Sequence, residues 1–395
     1  MSNEARMAQY STEVESSLEF HLDSRVKKER AFEAFIRLET IQGKHLIEEV
    51  CRKRISDARK IDPSLESGNL LKIITSNAYE KACLSSSLGS IAIELEALES
   101  TIHQHYPSWL DFWCDYLIYK LRKSYQGYCC PEQAPTYAYM PRVDGYYKSE
   151  LVNVSSNTEL VFTPYCSQPM RLADAILMSN LQTLVRKEQW YEILLDLELS
   201  QNETHFVLTA PSIDSEHRHL ISSARIQCGK SLSEWLFFSH YFNNPLWHSE
   251  NSNELGQLLV QQKVTSEATT SDASLQHQLH HHTLNKNAIC EIIRLAISAP
   301  RSLGLYFLYL SQKRLAEVLD ENQFCTAFII TQNPAMLYFY QSMSQKSYTN
   351  LAFFSSGTEQ INKGMWYLPN VRRDFETTDF RSYKTKVLAE KRSQN

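Results

Sequence analysis

Four places in this sequence set charged side chains inside or beside runs that otherwise read as apolar strands, where a buried charge must be compensated. In AICEIIRLAIS (288–298), Glu291 and Arg294 stand three apart. A regular strand sends two such residues to opposite faces unless a bulge intervenes. Arg225 lies near the end of a second run, SSARIQCG (222–229). Asp196 and Glu198, in LLDLELS (194–200), stand two apart and so share a face of a regular strand. Arg171 is a weaker fourth member. Two carboxylates on one face repel unless cations or a cationic ligand offset them. The set reads either as a salt-bridge network linking three strands or as a polar cleft for a zwitterionic or cationic substrate.

The elements that must position these residues follow from periodicity. Residues 26–55 place Phe32, Phe35, Ile36, Leu46, Ile47 and Val50 three or four apart between charged positions, as helices do. Pro107 and Ser108 precede the stripe Trp109, Phe112, Trp113, Tyr116, Leu117 and Leu121, with Asp111 placed to close a capping box on Ser108. Tyrosines, prolines and cysteines crowd 128–147, an irregular texture, and 160–165 reads as extended. Next come a helix over 170–186, strands over 190–199, 205–210 and 220–227, and a helix over 231–242. A polar stretch, 250–287, carries His277, His280, His281 and His282; it reads as a solvated loop in preference to a metal site. Then follow a strand (288–298), a helix (301–319), a strand (325–332), a helix (335–343) and strands at 350–355 and 365–368. This is an α/β (α+β) order built around a mixed sheet. The expected division is a mainly helical region, 1–165, followed by a domain over 166–395 with the His-rich insertion inside it.

Composition narrows the function classes. Ten glycines in 395 residues is well under half the usual ~7% share, which argues against a P-loop or a dinucleotide fold, since both need clustered glycines against phosphate. A net charge of −5 gives no support for nucleic-acid binding. The longest apolar run, 303–310, falls far short of the ~20 residues that a membrane span requires. Residues 1–6 are polar with no hydrophobic stretch behind them, so a cytoplasmic protein is expected. The nine cysteines are scattered and read as free thiols, with no metal site expected.

Taken in order, LLDLELSQNETHFVLTA (194–210), SSARIQCG (222–229) and EIIRLAIS (291–298) resemble the core of the N-acyl-homoserine-lactone synthases. That family has acidic residues after its first strand, an A-R-L/I strand end and a later E-x-x-R strand. FIITQNPAMLYFYQSM (328–343) is similar to the family's last strand-helix unit, itself like the acetyltransferases of the GNAT fold. The length and the long N-terminal extension resemble the larger LuxM/AinS-type synthases. The sequence departs from the short enzymes in its long interval between Arg225 and Glu291. The family's N-terminal Arg-x-x-x-Phe and following Trp are matched only by the candidates Arg171 and Trp190.

The resemblance implies a GNAT-like domain that makes a quorum-sensing autoinducer from S-adenosylmethionine and an acyl thioester on acyl carrier protein or coenzyme A. The methionyl amine attacks the thioester; its carboxylate then closes the lactone and expels methylthioadenosine. S-adenosylmethionine is a substrate, and no cofactor is implied. Glu291 is the expected base for the amine. Asp196 and Glu198 would attract the sulfonium and ammonium, and Arg225 or Arg294 would hold the carboxylate. Phe307, Leu337, Phe339 and Trp366 lie on the elements that would flank the acyl chain. The C-terminal segment 371–395 carries seven Lys/Arg against four Asp/Glu, a balance that could steer an acidic carrier protein. Two other readings stay open. One is a GNAT N-acyltransferase on another amine, ranked lower because only Gly304 stands where a pyrophosphate turn would be; the other is a non-catalytic interaction protein.

Overall fold

The computed structural model describes residues 26–40, 46–67, 69–85, 99, 102–125, 140–195, 204–212, 215–229, 234–239, 247–249, 252–261, 264–266, 285–299, 301–344, 346–356 and 359–393. Its contacts divide the chain into two units, residues 1–123 with 185–197 and residues 124–184 with 198–395.

In the first unit the described elements are helical: α1 (26–40), α2 (Leu46–Ile61), α3 (Leu70–Ile74), α4 (Asn77–Ser85) and α5 (Trp109–Ser124). Ser108 caps the helix, and its exchange with Asp111 runs through the hydroxyl. The Asp111 N–H donates to Ser108 Oγ at 3.1 Å, and the Ser108 hydroxyl donates to Asp111 Oδ2 at 2.7 Å. The aromatic stripe is core: Trp109, Phe112, Trp113 and Tyr116 are buried, and Phe35 of α1 packs 5.0 Å from the Phe112 ring. The strand expected over 190–199 is, within the described residues 190–195, a 3-10 turn at Tyr191–Leu195. Tertiary contacts override its β propensity. Tyr191, Ile193 and Leu194 bury into the helical unit, Tyr191 Oη donates to Asp111 Oδ1, and Glu192 accepts the Leu70 N–H.

Among the described residues, the second unit is built on a ten-stranded mixed sheet. Its strands are β1 (Lys148–Asn153), β2 (Leu160–Thr163), β3 (Cys166–Arg171), β4 (Thr204–Ala210), β5 (Arg218–Gln227), β6 (His248–Ser249), β7 (Ile289–Ile297), β8 (Thr326–Thr331), β9 (Tyr348–Ser356) and β10 (Glu359–Tyr367). They run in the order β1-β4-β5-β7-β8-β10-β9-β6, with β2 joining β3 to β5. The boundary expected near 165 therefore falls inside this unit, because β1 and β2 pair into the sheet. β7 and β8 are parallel, which demands a crossover; α8 (Gly304–Glu321) supplies it, after α6 (Leu172–Asn180) and α7 (Ser252–Gln261). Helices α9 (Pro334–Gln341), α10 (Leu368–Glu376) and α11 (Phe380–Ser393) complete the unit.

Strand alternation sorts the core into two. One face carries Phe206, Ile221, Cys290, Ile292 and Trp366 against α8, α9, α10 and α11. The other carries Ile289, Phe328 and Met365 against Trp235, Phe237 and Phe238, with Leu259 of α7. The helix expected over 231–242 is, within the described residues 234–239, a 3-10 turn at Leu236–Phe238. All seven cysteines among the described residues are free thiols.

Candidate active site

Register brings the charged residues together from three strands. Gln227 of β5 stands opposite Glu291 of β7, and Arg225 opposite Ile293. Glu291 neighbours Phe328 of β8, and β8 sets Ile330 beside Lys363 of β10. Directly paired residues share a face, so Arg225, Gln227, Glu291, Phe328 and Lys363 lie on the same side of the sheet.

Glu291 is fully buried, and the segment above it holds both of its oxygens. The Leu236 N–H donates to Oε2 at 2.9 Å and the Phe237 N–H to Oε1 at 2.6 Å. Those donors stand free because a helix start leaves its first N–H groups without intrahelical partners. Gln227 Nε2 anchors the same segment by donating to the Glu234 carbonyl at 3.1 Å. Burial raises the Glu291 pKa to about 7, while the two N–H groups and the Arg225 and Lys363 cations hold it down. At neutral pH this carboxyl is divided between its two forms, and it can take or return a proton.

The bulge that the Glu291–Arg294 spacing left open is present. Ser223 pairs with Ala296 and Arg225 with Ile293, so Arg294 and Leu295 together oppose Ala224. Arg294 adopts φ 60°, the left-handed region that a non-glycine residue enters at a cost of roughly 1–2 kcal/mol. Such a bulge takes a residue out of the ladder and bends the strand. At the same place the parallel strands part. β7 pairs with β8 from Ile289 to Ile292 and thereafter only with β5, while β8 continues with β10. A crevice beyond the carboxyl ends of parallel strands is where open α/β sheets take ligands.

The other expected site residues are placed unequally. Arg225 is buried within this set. Arg171 is exposed at the end of β3, where its N–H donates to Tyr125 Oη; β3 reaches β5 only through β2, at Arg218 and His219. Phe307, Phe339 and Trp366 are fully buried on the opposite face from Glu291, in the core formed with α8, α9 and α11, and Leu337 is buried too. Asp196 and Glu198 lie outside the described residues, as do Cys129, Cys130 and the histidines at 277 and 280–282. Among the described residues no His/Cys/Asp/Glu group has the makings of a metal site, and no helix is long and apolar enough to cross a membrane. Two features escaped sequence reasoning. One is Lys363, whose signal was a single charge in the extended run QINKGMWY; the other is the pair of N–H donors at 236 and 237.

The model of the family described as acyl homoserine lactone synthase matches residues 27–395. The chain is 32% identical over 300 residues to the acyl-homoserine-lactone synthase OpaM of Vibrio parahaemolyticus, covering 73% of this chain and 74% of OpaM. It is 29% identical over 309 residues to the acyl-homoserine-lactone synthase LuxM of Vibrio campbellii, covering 77% of each. Among solved structures, apo TofI matches at a TM-score of 0.31 and 9% identity, over 58% of this chain and 97% of that one, a likeness too low to bear on the site. With a match spanning nearly its whole length, the chain belongs to the acyl-homoserine-lactone synthase family.

Proposed function

We propose that this chain synthesises an N-acyl-homoserine-lactone autoinducer from S-adenosylmethionine and an acyl thioester, working in the cytoplasm, where both substrates are made. The observation that carries the mechanism is Glu291: a buried carboxyl balanced near neutrality, beside a bulge, where two parallel strands separate.

The substrate amine is a nucleophile only when unprotonated, and Glu291 receives its proton as the nitrogen bonds to the thioester carbonyl carbon. The negative charge that develops on the carbonyl oxygen is met by backbone N–H groups released at the Arg294–Leu295 bulge. Collapse of this intermediate expels the carrier thiol, which leaves with the proton, and forms the amide. The methionyl carboxylate then attacks its own γ-carbon, breaking the carbon–sulfur bond and releasing methylthioadenosine. That step needs a folded-back substrate and excluded water, so positioning is the enzyme's contribution. Arg225 or Arg294 holds the carboxylate, and Asp196 and Glu198 attract the sulfonium and ammonium. The acyl chain enters between β7 and β8, borne by acyl carrier protein or coenzyme A. S-adenosylmethionine is consumed as a substrate, and the reaction calls on no cofactor.

The test is to incubate the purified chain with S-adenosylmethionine and acyl thioesters of graded length on each carrier, following methylthioadenosine and lactone by mass spectrometry. Absence of both products for every length and carrier refutes the proposal.

A further inference from the structure

The segment that holds Glu291 is itself gripped by Lys363. This lysine is 5% exposed, and its Nζ lies 4.3 Å from the Phe237 ring centroid and 5.7 Å from that of Trp247. Phe237 is also the residue whose N–H donates to Glu291 Oε1. One residue therefore joins the cation of β10 to the carboxyl of β7, its ring facing the ammonium and its backbone facing the carboxyl.

The strand is shaped to put the lysine there. The β9–β10 register shifts between Lys363 and Gly364, and such irregularities re-aim the side chains beside them. A Cβ at Gly364 would lie 2.3 Å from Tyr348 Cε2, so the Tyr348 ring occupies space that only glycine leaves open. That ring packs 4.9 Å from Tyr340, which fixes it against the strand.

We propose that Lys363 is a positioning residue for the acyl transfer, its ammonium set over Phe237 so as to fix the orientation and charge of the carboxyl that receives the amine proton. The proposal rests on the reading of Glu291 as that base. The groups facing Glu291 are Arg225 and the amide of Gln227 from β5, Lys363 from β10 and Phe328 from β8. The 234–239 segment adds backbone N–H groups and aromatic rings. Cys290, the neighbour on its own strand, belongs to the opposite core, and burial pushes its thiol up. The two cations, Arg225 and Lys363, both favour the ionised carboxylate against burial.

The experiment measures kcat/KM for S-adenosylmethionine against pH in the full chain, for wild type, Lys363→Met and Lys363→Arg. Loss of the ammonium moves the acidic limb of Lys363→Met upward by about one pH unit, a roughly tenfold loss below the limb. Lys363→Arg keeps the limb in place. A merely structural lysine would lower the rate at every pH with the limb unmoved; that result, or no change at all, overturns the proposal. Circular dichroism checks folding, and if Lys363→Met is unfolded, Lys363→Gln is judged by the same criterion. Glu291→Gln, run alongside, separates the two readings. Wild-type turnover in that variant removes Glu291 as the base. Loss of its turnover, with the limb unmoved in the Lys363 variants, removes Lys363 alone.

Discussion

Replacing Glu291 by glutamine tests burial and chemistry together, because the two effects have different pH dependence. The carboxyl rises from its ordinary 4.5 to about 7 in the fold. At ~1.4 kcal/mol per pH unit this corresponds to about 3 kcal/mol of folding stability. The sign follows from proton counts. Between pH 4.5 and 7 the folded chain holds a proton that the unfolded chain has lost, so stability falls as pH rises through this window and levels off above it. Glutamine carries no such dependence. It has one acceptor oxygen for two N–H donors, Leu236 and Phe237, and its amide leaves one of them unsatisfied at a cost of about 1–3 kcal/mol. Glu291→Gln is therefore less stable than wild type at pH 5 and equal or more stable at pH 8. Urea unfolding followed by tryptophan fluorescence at pH 5, 6, 7 and 8 reads the crossover. Glu192, another buried carboxyl pushed up by desolvation, is present in both proteins and cancels in the difference. Turnover of the variant falls by a factor of about 10² or more, the scale of a lost general base. A stability difference that stays constant from pH 5 to 8 refutes the burial argument, and unimpaired lactone formation refutes the catalytic one.

Three further outcomes follow from the packing. Gly364→Ala drives a methyl into the Tyr348 ring, costing about 1–3 kcal/mol as overpacking; thermal melts show the loss, and Tyr348→Ala in the same chain recovers part of it. Ser108→Ala removes the cap of α5, lowering stability by about 1 kcal/mol in urea titration. Phe339→Ala opens a cavity among Tyr340, Phe375 and Tyr383, costing about 3–5 kcal/mol, while the preferred acyl length, read by mass spectrometry of the lactones, stays the same. A change in that preference would assign Phe339 to the acyl slot.

Local pattern made much of the second unit legible. AICEIIRLAIS, CTAFIITQ and the 301–319 helix emerge at β7, β8 and α8 within a few residues of their expected ends, because apolar period and turn residues are properties of neighbours in the chain. The same reasoning failed in the described parts of 190–199 and 231–242. Both are short, aromatic and apolar, and such runs take whatever form buries them; the described residues form 3-10 turns at Tyr191–Leu195 and Leu236–Phe238. The acyl-slot residues mark a different boundary. Phe307, Phe339 and Trp366 read as large apolar residues on their elements, but the side of the sheet on which each packs depends on pairing with distant strands.

The sequence by itself determined that Glu291, Arg225 and Arg294 sit in strand-forming runs where charge has a cost, and that their order matches a known family. Only the tertiary structure decided what surrounds them. Gln227 meets Glu291 because β5 and β7 pair in that register. The bulge at Arg294 exists only relative to its partner strand. The Leu236 and Phe237 donors, and the Lys363 cation, come from parts of the chain far removed in sequence. Alternation along a strand is set by local backbone geometry, whereas the partner across a sheet is set by which segments bury most surface together, and that competition is settled by the whole chain.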